Sequence, residues 1–219
     1  MKELPFQFGR QADLIGILTT PEHCEWRHRP FFVMVNSGVV HRAGANRNTV
    51  TLARALCDAG FGSFRFDFSG LGDSSERRDC LSWEHSAPAE IIEAMDLMRD
   101  RFGIVKFVLF GNCGGAAKSF WAAQQDLRVK GLLFTNPPPA PGDSAARILY
   151  ELQGTLRRGV HALFLFADGD EGERYFDDCL RLHLYDELLS GVLNVEKIER
   201  ANHTRSEEHT SELQSLTNL

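Results

Sequence analysis

The stretch Lys106-Phe-Val-Leu-Phe-Gly111-Asn112-Cys113-Gly114-Gly115-Ala116 constrains the fold of this chain more than any other. Phe107 to Phe110 is a short apolar run of the kind that forms a buried strand, and it ends in a glycine-rich turn. A helix-compatible segment, Ala116 to Ala123, begins at once. The result is a strand, a sharp turn and a helix, with a potential nucleophile at the tip. The spacing Gly-x-Cys-x-Gly is that of the Gly-x-Ser-x-Gly nucleophile elbow with sulfur in place of oxygen. Glycines two before and two after the nucleophile let a strained turn form and let strand and helix approach closely. At the start of a helix, free backbone N–H groups and the positive dipole end favour a thiolate.

The same residues admit other readings. A single cysteine is most often a small buried hydrophobe. The pair Lys118-Ser119 brings the run close to a phosphate-binding loop, but that loop needs glycine just before the lysine and again five positions earlier. Ala117 and Asn112 occupy those positions, so the reading fails. The dinucleotide pattern Gly-x-Gly-x-x-Gly does not fit either.

The segments on either side fall into an order. Pro30 to Val35 is an apolar run followed by Asn36-Ser37-Gly38-Val39. Asn48 to Ala59 has helical apolar spacing (Val50, Leu52, Ala53, Leu56), closed by Gly60 as a C-cap. A strand over Phe61 to Phe68 leads into the turn Ser69-Gly70-Leu71-Gly72-Asp73-Ser74, and a second helix is expected over Ala89 to Arg101. After the elbow, strands are expected at Val129 to Phe134, Val160 to Phe166 and Val192 to Ile198, with a helix-like segment from Glu173 to Leu189. Phe6 to Gly9 and Leu14 to Thr19 are expected to form an antiparallel hairpin. Strands alternating with helices imply an α/β fold, a mainly parallel central sheet with helices on both faces.

With these marks the chain resembles the α/β-hydrolase superfamily over residues 1–204. Four stretches carry the resemblance: Asn36-Ser-Gly-Val, Phe66-Asp67-Phe-Ser69-Gly70-Leu-Gly72-Asp-Ser74, the elbow at Cys113, and Ala201-Asn202-His203-Thr204 after the last strand. More narrowly it is similar to the serine-aminopeptidase-like hydrolases that accompany bacterial exosortase and polysaccharide loci. Those carry a similar His-Arg-x-Gly stretch (here His41-Arg42-Ala43-Gly44), an Arg-Phe-Asp strand end and a Gly-x-Cys elbow.

The resemblance implies a triad in the order nucleophile, acid, histidine. Cys113 takes the first place and His203, just after the last strand, the third. The family's Gly-x-x-Asp pattern sets Asp170 in the acid position. Ala167 stands where the glycine is usual, so Asp168 stays open as the alternative. The oxyanion would be held by backbone N–H groups of Gly114 and of the Gly38-Val39 loop. His203 would take the thiol proton, Asp170 would fix the imidazole tautomer, and the thiolate would attack an acyl carbon to give an acyl-enzyme. A thiolate expels amines poorly against its own departure, so oxygen or sulfur esters are favoured over peptides.

Asp67 reads as an organiser of the turn after its strand. His41 and Arg42 lie in the loop near the mouth of the site, where they could hold an anionic part of a substrate or stand as a solvated pair. Residues 137–158, opening on Pro137-Pro138-Pro139-Ala-Pro141 with a helix over Ser144 to Leu156, are expected as a short lid-like insertion. No cofactor and no metal are expected. The acidic turn Asp168-Gly-Asp-Glu-Gly-Glu lacks the spaced ligands and terminal glutamate of a calcium loop.

A net charge of -6 with no basic cluster argues against nucleic acid as a partner. No segment approaches the ~20 apolar residues that span a membrane, and the first residues lack the apolar core of a secretion signal. Cys24, Cys57, Cys80, Cys113 and Cys179 are an odd number without metal-ligand pairing, as expected of free thiols in a reducing cytoplasm. Three function classes follow: a cysteine-nucleophile ester or thioester hydrolase, an acyltransferase with the same triad and a small-molecule acyl substrate, and a non-catalytic binding protein in which Cys113 only fills the elbow.

The end of the chain stands apart. Arg205 to Ser215 is similar to the in-frame translation of a sequencing-adapter oligonucleotide, so residues 205–219 are expected to be a non-native tail on a single domain of residues 1–204. Without that tail, 23 basic and 27 acidic residues leave -4, since it holds one Arg and three Glu. On this reading the family's C-terminal helix is missing.

Overall fold

A long apolar run with few polar breaks suits a strand covered on both faces, as a parallel sheet demands. The runs around Phe31, Phe107, Val129 and Ala162 all become such strands. A computed structural model describes residues 1–22, 26–139 and 144–199. Among them lie eight strands: β1 (Lys2–Phe8), β2 (Leu14–Thr20), β3 (Phe31–Met34), β4 (Ser63–Phe66), β5 (Phe107–Asn112), β6 (Val129–Thr135), β7 (His161–Ala167) and β8 (Leu193–Ile198). They form one sheet in the order β1-β2-β4-β3-β5-β6-β7-β8. β1 and β2 are the expected antiparallel hairpin, and β2 pairs antiparallel with β4. Every other pairing is parallel.

Among the described residues six α-helices accompany the strands: α1 (Asn48–Asp58), α2 (Trp83–Phe102), α3 (Gly114–Gln125), α4 (Ala145–Arg157), α5 (Glu171–Tyr175) and α6 (Tyr185–Leu189). Leu52, Ala53 and Leu56 of α1 pack with Met34, Phe110, Leu133 and Leu165 on one face of the sheet. The larger core lies on the other face, where Ile91, Met95 and Met98 of α2, Phe120 of α3 and Leu152 and Leu156 of α4 meet Phe64, Phe66, Leu109 and Phe164. Gly60, at φ +87, closes α1 as expected.

Two helices differ from their sequence expectation. α2 begins at Trp83, not Ala89, and carries Pro88 in its second turn. Proline there removes one helical hydrogen bond, yet Ser86, Ala87 and Pro88 are all buried, and that packing holds the turn. The stretch from Glu173 to Leu189 is not one helix. α5 gives way to a wide turn at Phe176–Leu180 and a tight one at Arg181–Leu184 before α6. The buried residues Phe176, Leu180 and Leu184 lie four apart, a spacing that drifts by about 40° per step on a regular α-helix. The wide turn takes up the drift between the first two.

The topology places the site. From β3 the chain crosses by α1 to β4 on one side, and from β5 it crosses by α3 to β6 on the other. The strand order reverses between β3 and β5, and in open parallel sheets ligands bind outside the carboxyl ends at such a point. The loops at Asn36–Gly44 and the elbow at Cys113 leave those two strand ends.

Candidate active site

β5 runs straight into the elbow. Asn112 is still in register with Thr135 of β6, and the Cys113 amide donates to the Thr135 carbonyl at 2.9 Å. Cys113 then takes φ +48 and ψ -123, left-handed backbone that a side chain adopts only under constraint. Its neighbours supply the constraint. A methyl group on Gly111 would stand 2.6 Å from the backbone of Ala116, and one on Gly115 would stand 2.7 Å from the carbonyl oxygen of Asn36. The first glycine lets α3 fold back over β5 and the second lets it press on the end of β3. Cys113 is thereby left half-buried at the N-cap of α3.

Where the loop after β3 faces Gly114, the approach is backbone to backbone. Gly38, at φ +56, lies where a side-chain carbon on Gly114 would come 3.7 Å from its nitrogen. Ser37 accepts from the Val40 amide in a turn, and Val39 within that turn is 83% exposed. Gly114 is the first residue of α3, where amides have no intrahelical partner. The structure thus brings Gly38 and Gly114 together beside Cys113, with Val39 next in line. Asn112 stitches the arrangement, donating to Ser37 Oγ (3.4 Å) and accepting from Thr135 Oγ1 (2.8 Å).

Beneath this loop sits a buried polar network. Asn36 donates to the Val40 carbonyl (2.7 Å) and to Asp67 Oδ1 (2.9 Å), while its own oxygen accepts from the Phe68 amide. Asp67 is fully buried and also accepts from the Arg42 amide and guanidinium. Arg42 reaches on to Asp73 at 2.6 Å. The guanidinium therefore ties the loop after β3 to the turn after β4, and those two carboxylates raise its pKa against the opposing effect of its burial. His41, on the rim, lies 3.5 Å from Asp67. His41, Asp67 and Asp73 are the one group of described residues spaced for a metal ion, but the cation they surround is Arg42.

The acid candidates separate clearly. A turn with Gly169 at φ +70 links β7 to α5, and in it the Asp170 amide donates to the Ala167 carbonyl. Asp170 is 9% exposed and caps α5, Oδ1 accepting from the Gly172 amide at 2.9 Å. Asp168 points away, exposed, and pairs with Lys197 of β8 at 2.9 Å. His203 lies outside the described residues, as do Ala201, Asn202, Thr204 and the tail 205–219. β8 runs parallel to β7 with Ile198 level with Ala167, so the chain leaves β8 at the same end of the sheet as Asp170.

A family model for the α/β hydrolase fold matches residues 35–204. The chain belongs to the α/β hydrolase family. Solved structures agree on the fold. A serine hydrolase without a lid from Xanthomonas campestris aligns with TM-score 0.68 at 17% identity, covering 100% of this chain and 93% of that one. A serine hydrolase homologue from Coxiella burnetii aligns with TM-score 0.65 at 16% identity, covering 99% and 95%. Est1E from Butyrivibrio proteoclasticus, with ferulic acid bound, aligns with TM-score 0.63 at 12% identity, covering 94% and 93%. No curated protein sequence matches the chain. Two of these neighbours are called serine hydrolases, whereas the elbow of this α/β hydrolase carries a cysteine.

This α/β hydrolase has an open apolar cavity between α3, α4 and α5. Ala116 and Ala117 bring its wall to the first turn of α3, and Gly172 and Pro137 bring it to the cap formed by Asp170. Phe120, Trp121, Phe134, Phe164 and Phe176 line the interior. Gly172 is needed there, because any side chain would overlap the Pro137 carbonyl. α4, within the segment expected as a lid, is the crossover from β6 to β7; Ile148 and Leu152 face the cavity.

On the opposite flank of α3, Lys118 of the hydrolase donates to the Gly114 carbonyl at 3.3 Å and lies 5.3 Å from the centroid of the Trp83 ring on α2. Its position beside the elbow follows from α2 beginning at Trp83, which the sequence pattern did not show. Asn36 was more accessible to reasoning: a polar residue directly after a buried apolar run must find partners inside. Among the described residues no helix is long and apolar enough to cross a membrane.

Proposed function

We propose that this α/β hydrolase cleaves carboxylic esters or thioesters through a covalent acyl-enzyme on Cys113. The observation that carries the reading is the strained backbone of Cys113, held at φ +48 by glycines that leave no room for any side chain. Backbone strain kept at the tip of a strand–helix turn is a cost that a purely structural cysteine would not require.

In this reading His203 takes the Cys113 proton and Asp170 orients and charges-balances the imidazole. The thiolate forms a bond to the acyl carbon, and the resulting oxyanion is held by the amides of Gly114 and the Gly38-Val39 loop. Collapse breaks the carbon–oxygen or carbon–sulfur bond, and the leaving group departs with the electron pair and takes the proton from His203. Water, activated by the same histidine, then attacks the acyl carbon and restores the thiol. Asp170 is preferred to Asp168 because it is buried and turned inward, while Asp168 is committed to Lys197. The apolar cavity beside the elbow supports an apolar acyl group, and removal of that surface from water supplies binding energy. The setting expected of such an enzyme is the cytoplasm, in line with an odd number of cysteines that lack metal-ligand spacing.

The test is intact-mass measurement and peptide mapping after brief exposure to an activated short-chain acyl ester. The protein is compared with Cys113→Ala and His203→Ala. An acyl adduct on Cys113 that turns over, and that forms slowly or persists without His203, is the expected result. Labelling only at other cysteines would overturn the reading in favour of a binding protein.

A further inference from the structure

Lys118 is a half-buried ammonium with little to hold it. Its donors meet one carbonyl, that of Gly114, and its charge lies over the ring of Trp83. An ammonium has three N–H donors, so two remain for something else. No carboxylate lies within ion-pair distance of it among the described residues. The titratable groups that face it are Cys113 at the elbow and Glu84 on α2, the latter exposed. Burial pushes its pKa down, and those two groups push it back up. A lysine with no partner to reach would extend its ammonium into water and avoid that burial.

Trp83 adds a planar face. Its indole makes a T-shaped contact with Phe68, ring centroids 5.3 Å apart, and remains 36% exposed. The two side chains therefore stand together beside the elbow, the ammonium over the indole at 5.3 Å from the ring centroid and the ring partly open to solvent. The flank matters. The apolar cavity opens between α3 and α4, whereas Lys118 and Trp83 lie between α3 and α2. A substrate whose acyl chain enters the cavity would extend its leaving group to the other side of the elbow.

We propose that Lys118 and Trp83 form a subsite for the leaving group, selecting esters or thioesters whose alcohol or thiol portion carries a negative charge. The proposal rests on the acyl-enzyme reading of Cys113 for its orientation. The subsite itself is a matter of binding and can be tested apart from catalysis. Lys118 contributes a charge-assisted hydrogen bond to the anionic group and Trp83 contributes a flat apolar contact.

The experiment uses a matched pair of octanoyl esters, one of para-hydroxybenzoate and one of its methyl ester, which differ in charge but share acyl chain and ring. The quantity read is the ratio of kcat/KM for the anionic over the neutral ester, compared between wild type, Lys118→Met and Lys118→Arg. Taking this ratio between variants cancels the difference in leaving-group reactivity. The expected result is a fall of about tenfold in the ratio for Lys118→Met, the scale of one charge-assisted hydrogen bond, with Lys118→Arg close to wild type. An equal loss for both esters would mean that Lys118 only supports the fold and would overturn the subsite. In parallel, calorimetry follows para-hydroxybenzoate binding to Cys113→Ala with and without Lys118→Met. If neither ester is turned over and no acyl group appears on Cys113, the acyl-enzyme reading fails, and this binding measurement alone decides the subsite. Binding that needs Lys118 sustains it; binding indifferent to Lys118, or none, refutes it.

Discussion

Gly115 touches Asn36: a single added carbon on Gly115 would stand 2.7 Å from the Asn36 carbonyl oxygen and 3.0 Å from a methyl of Val35. This contact seats the start of α3 on the end of β3 and so sets the distance between Cys113 and the Gly38 loop. Gly115→Ala is expected to cost about 1–3 kcal/mol of stability, because backbone on both sides must shift. Activity should fall further than stability explains, since the shift opens the gap between Gly38 and Gly114. Urea denaturation beside acylation kinetics separates the two effects. An alanine variant with wild-type stability and rate would show that the contact has slack.

The two carboxylates after β7 make a paired test. Asparagine caps a helix nearly as well as aspartate, so Asp170→Asn should keep the bond to Gly172 and leave stability almost unchanged. Its acylation rate should drop by roughly a thousandfold or more, the loss seen when a triad acid can no longer hold the imidazole. Asp168→Asn breaks only an exposed pair with Lys197, worth little, and should behave like wild type. Single-turnover acylation of the two variants is the measurement, and a reversed order would move the acid to Asp168.

How far the sequence reached depended on whether the information was local. The elbow was legible because its requirement is written within five residues: glycines where Ala116 and Asn36 leave no space. The strands were legible because parallel strands are buried on both faces and so read as apolar runs. α2 was expected from Ala89 but begins at Trp83, and only the packing of the finished helix shows that Pro88 is tolerated in its second turn. Arg42 was equally hidden. Its partners Asp67 and Asp73 are distant in sequence, and nothing near Arg42 distinguishes a guanidinium that binds carboxylates of its own chain from one that awaits a ligand. Lys118 owes its place to the contact of α2 with α3, again a long-range relation. His203 was read from its position after the last strand and lies outside the described residues.

Asp67 anchors the floor of the site, and its removal should be costly. It is fully buried and accepts from Asn36, from the Arg42 amide and from the Arg42 guanidinium. Asp67→Ala would leave a largely buried guanidinium and an asparagine amide without that partner, at a cost of about 3–5 kcal/mol. Asp67→Asn keeps one acceptor oxygen and should lose less. Thermal unfolding of the two variants gives the order, and restoring stability by combining Asp67→Ala with Arg42→Leu would confirm that the stranded charge is the cause.

Acid should weaken the hydrolase through Asp126. Burial alone would raise the pKa of this carboxyl, but Arg128 bonds it through Nε and Nη2 and through its amide, and the net effect is to hold it below the ordinary value of 3.8. The same guanidinium reaches Asp96 of α2 at 2.9 Å, so the pair fastens α2 to the entry of β6. A depressed carboxylate pKa in the folded state means that the unfolded chain binds the proton more readily. The stabilisation is therefore complete above 3.8 and is lost as pH falls through the lower folded value. Asp126→Asn should cost about 1–2 kcal/mol at neutral pH. The difference from wild type should close as the pH is lowered through that window, because the protonated wild type has also lost the ion pair. Urea denaturation curves of both proteins at a series of pH values between neutrality and the acid limit of folding carry the test. A gap that stays constant with pH would assign the loss to packing of the side chain and not to its charge.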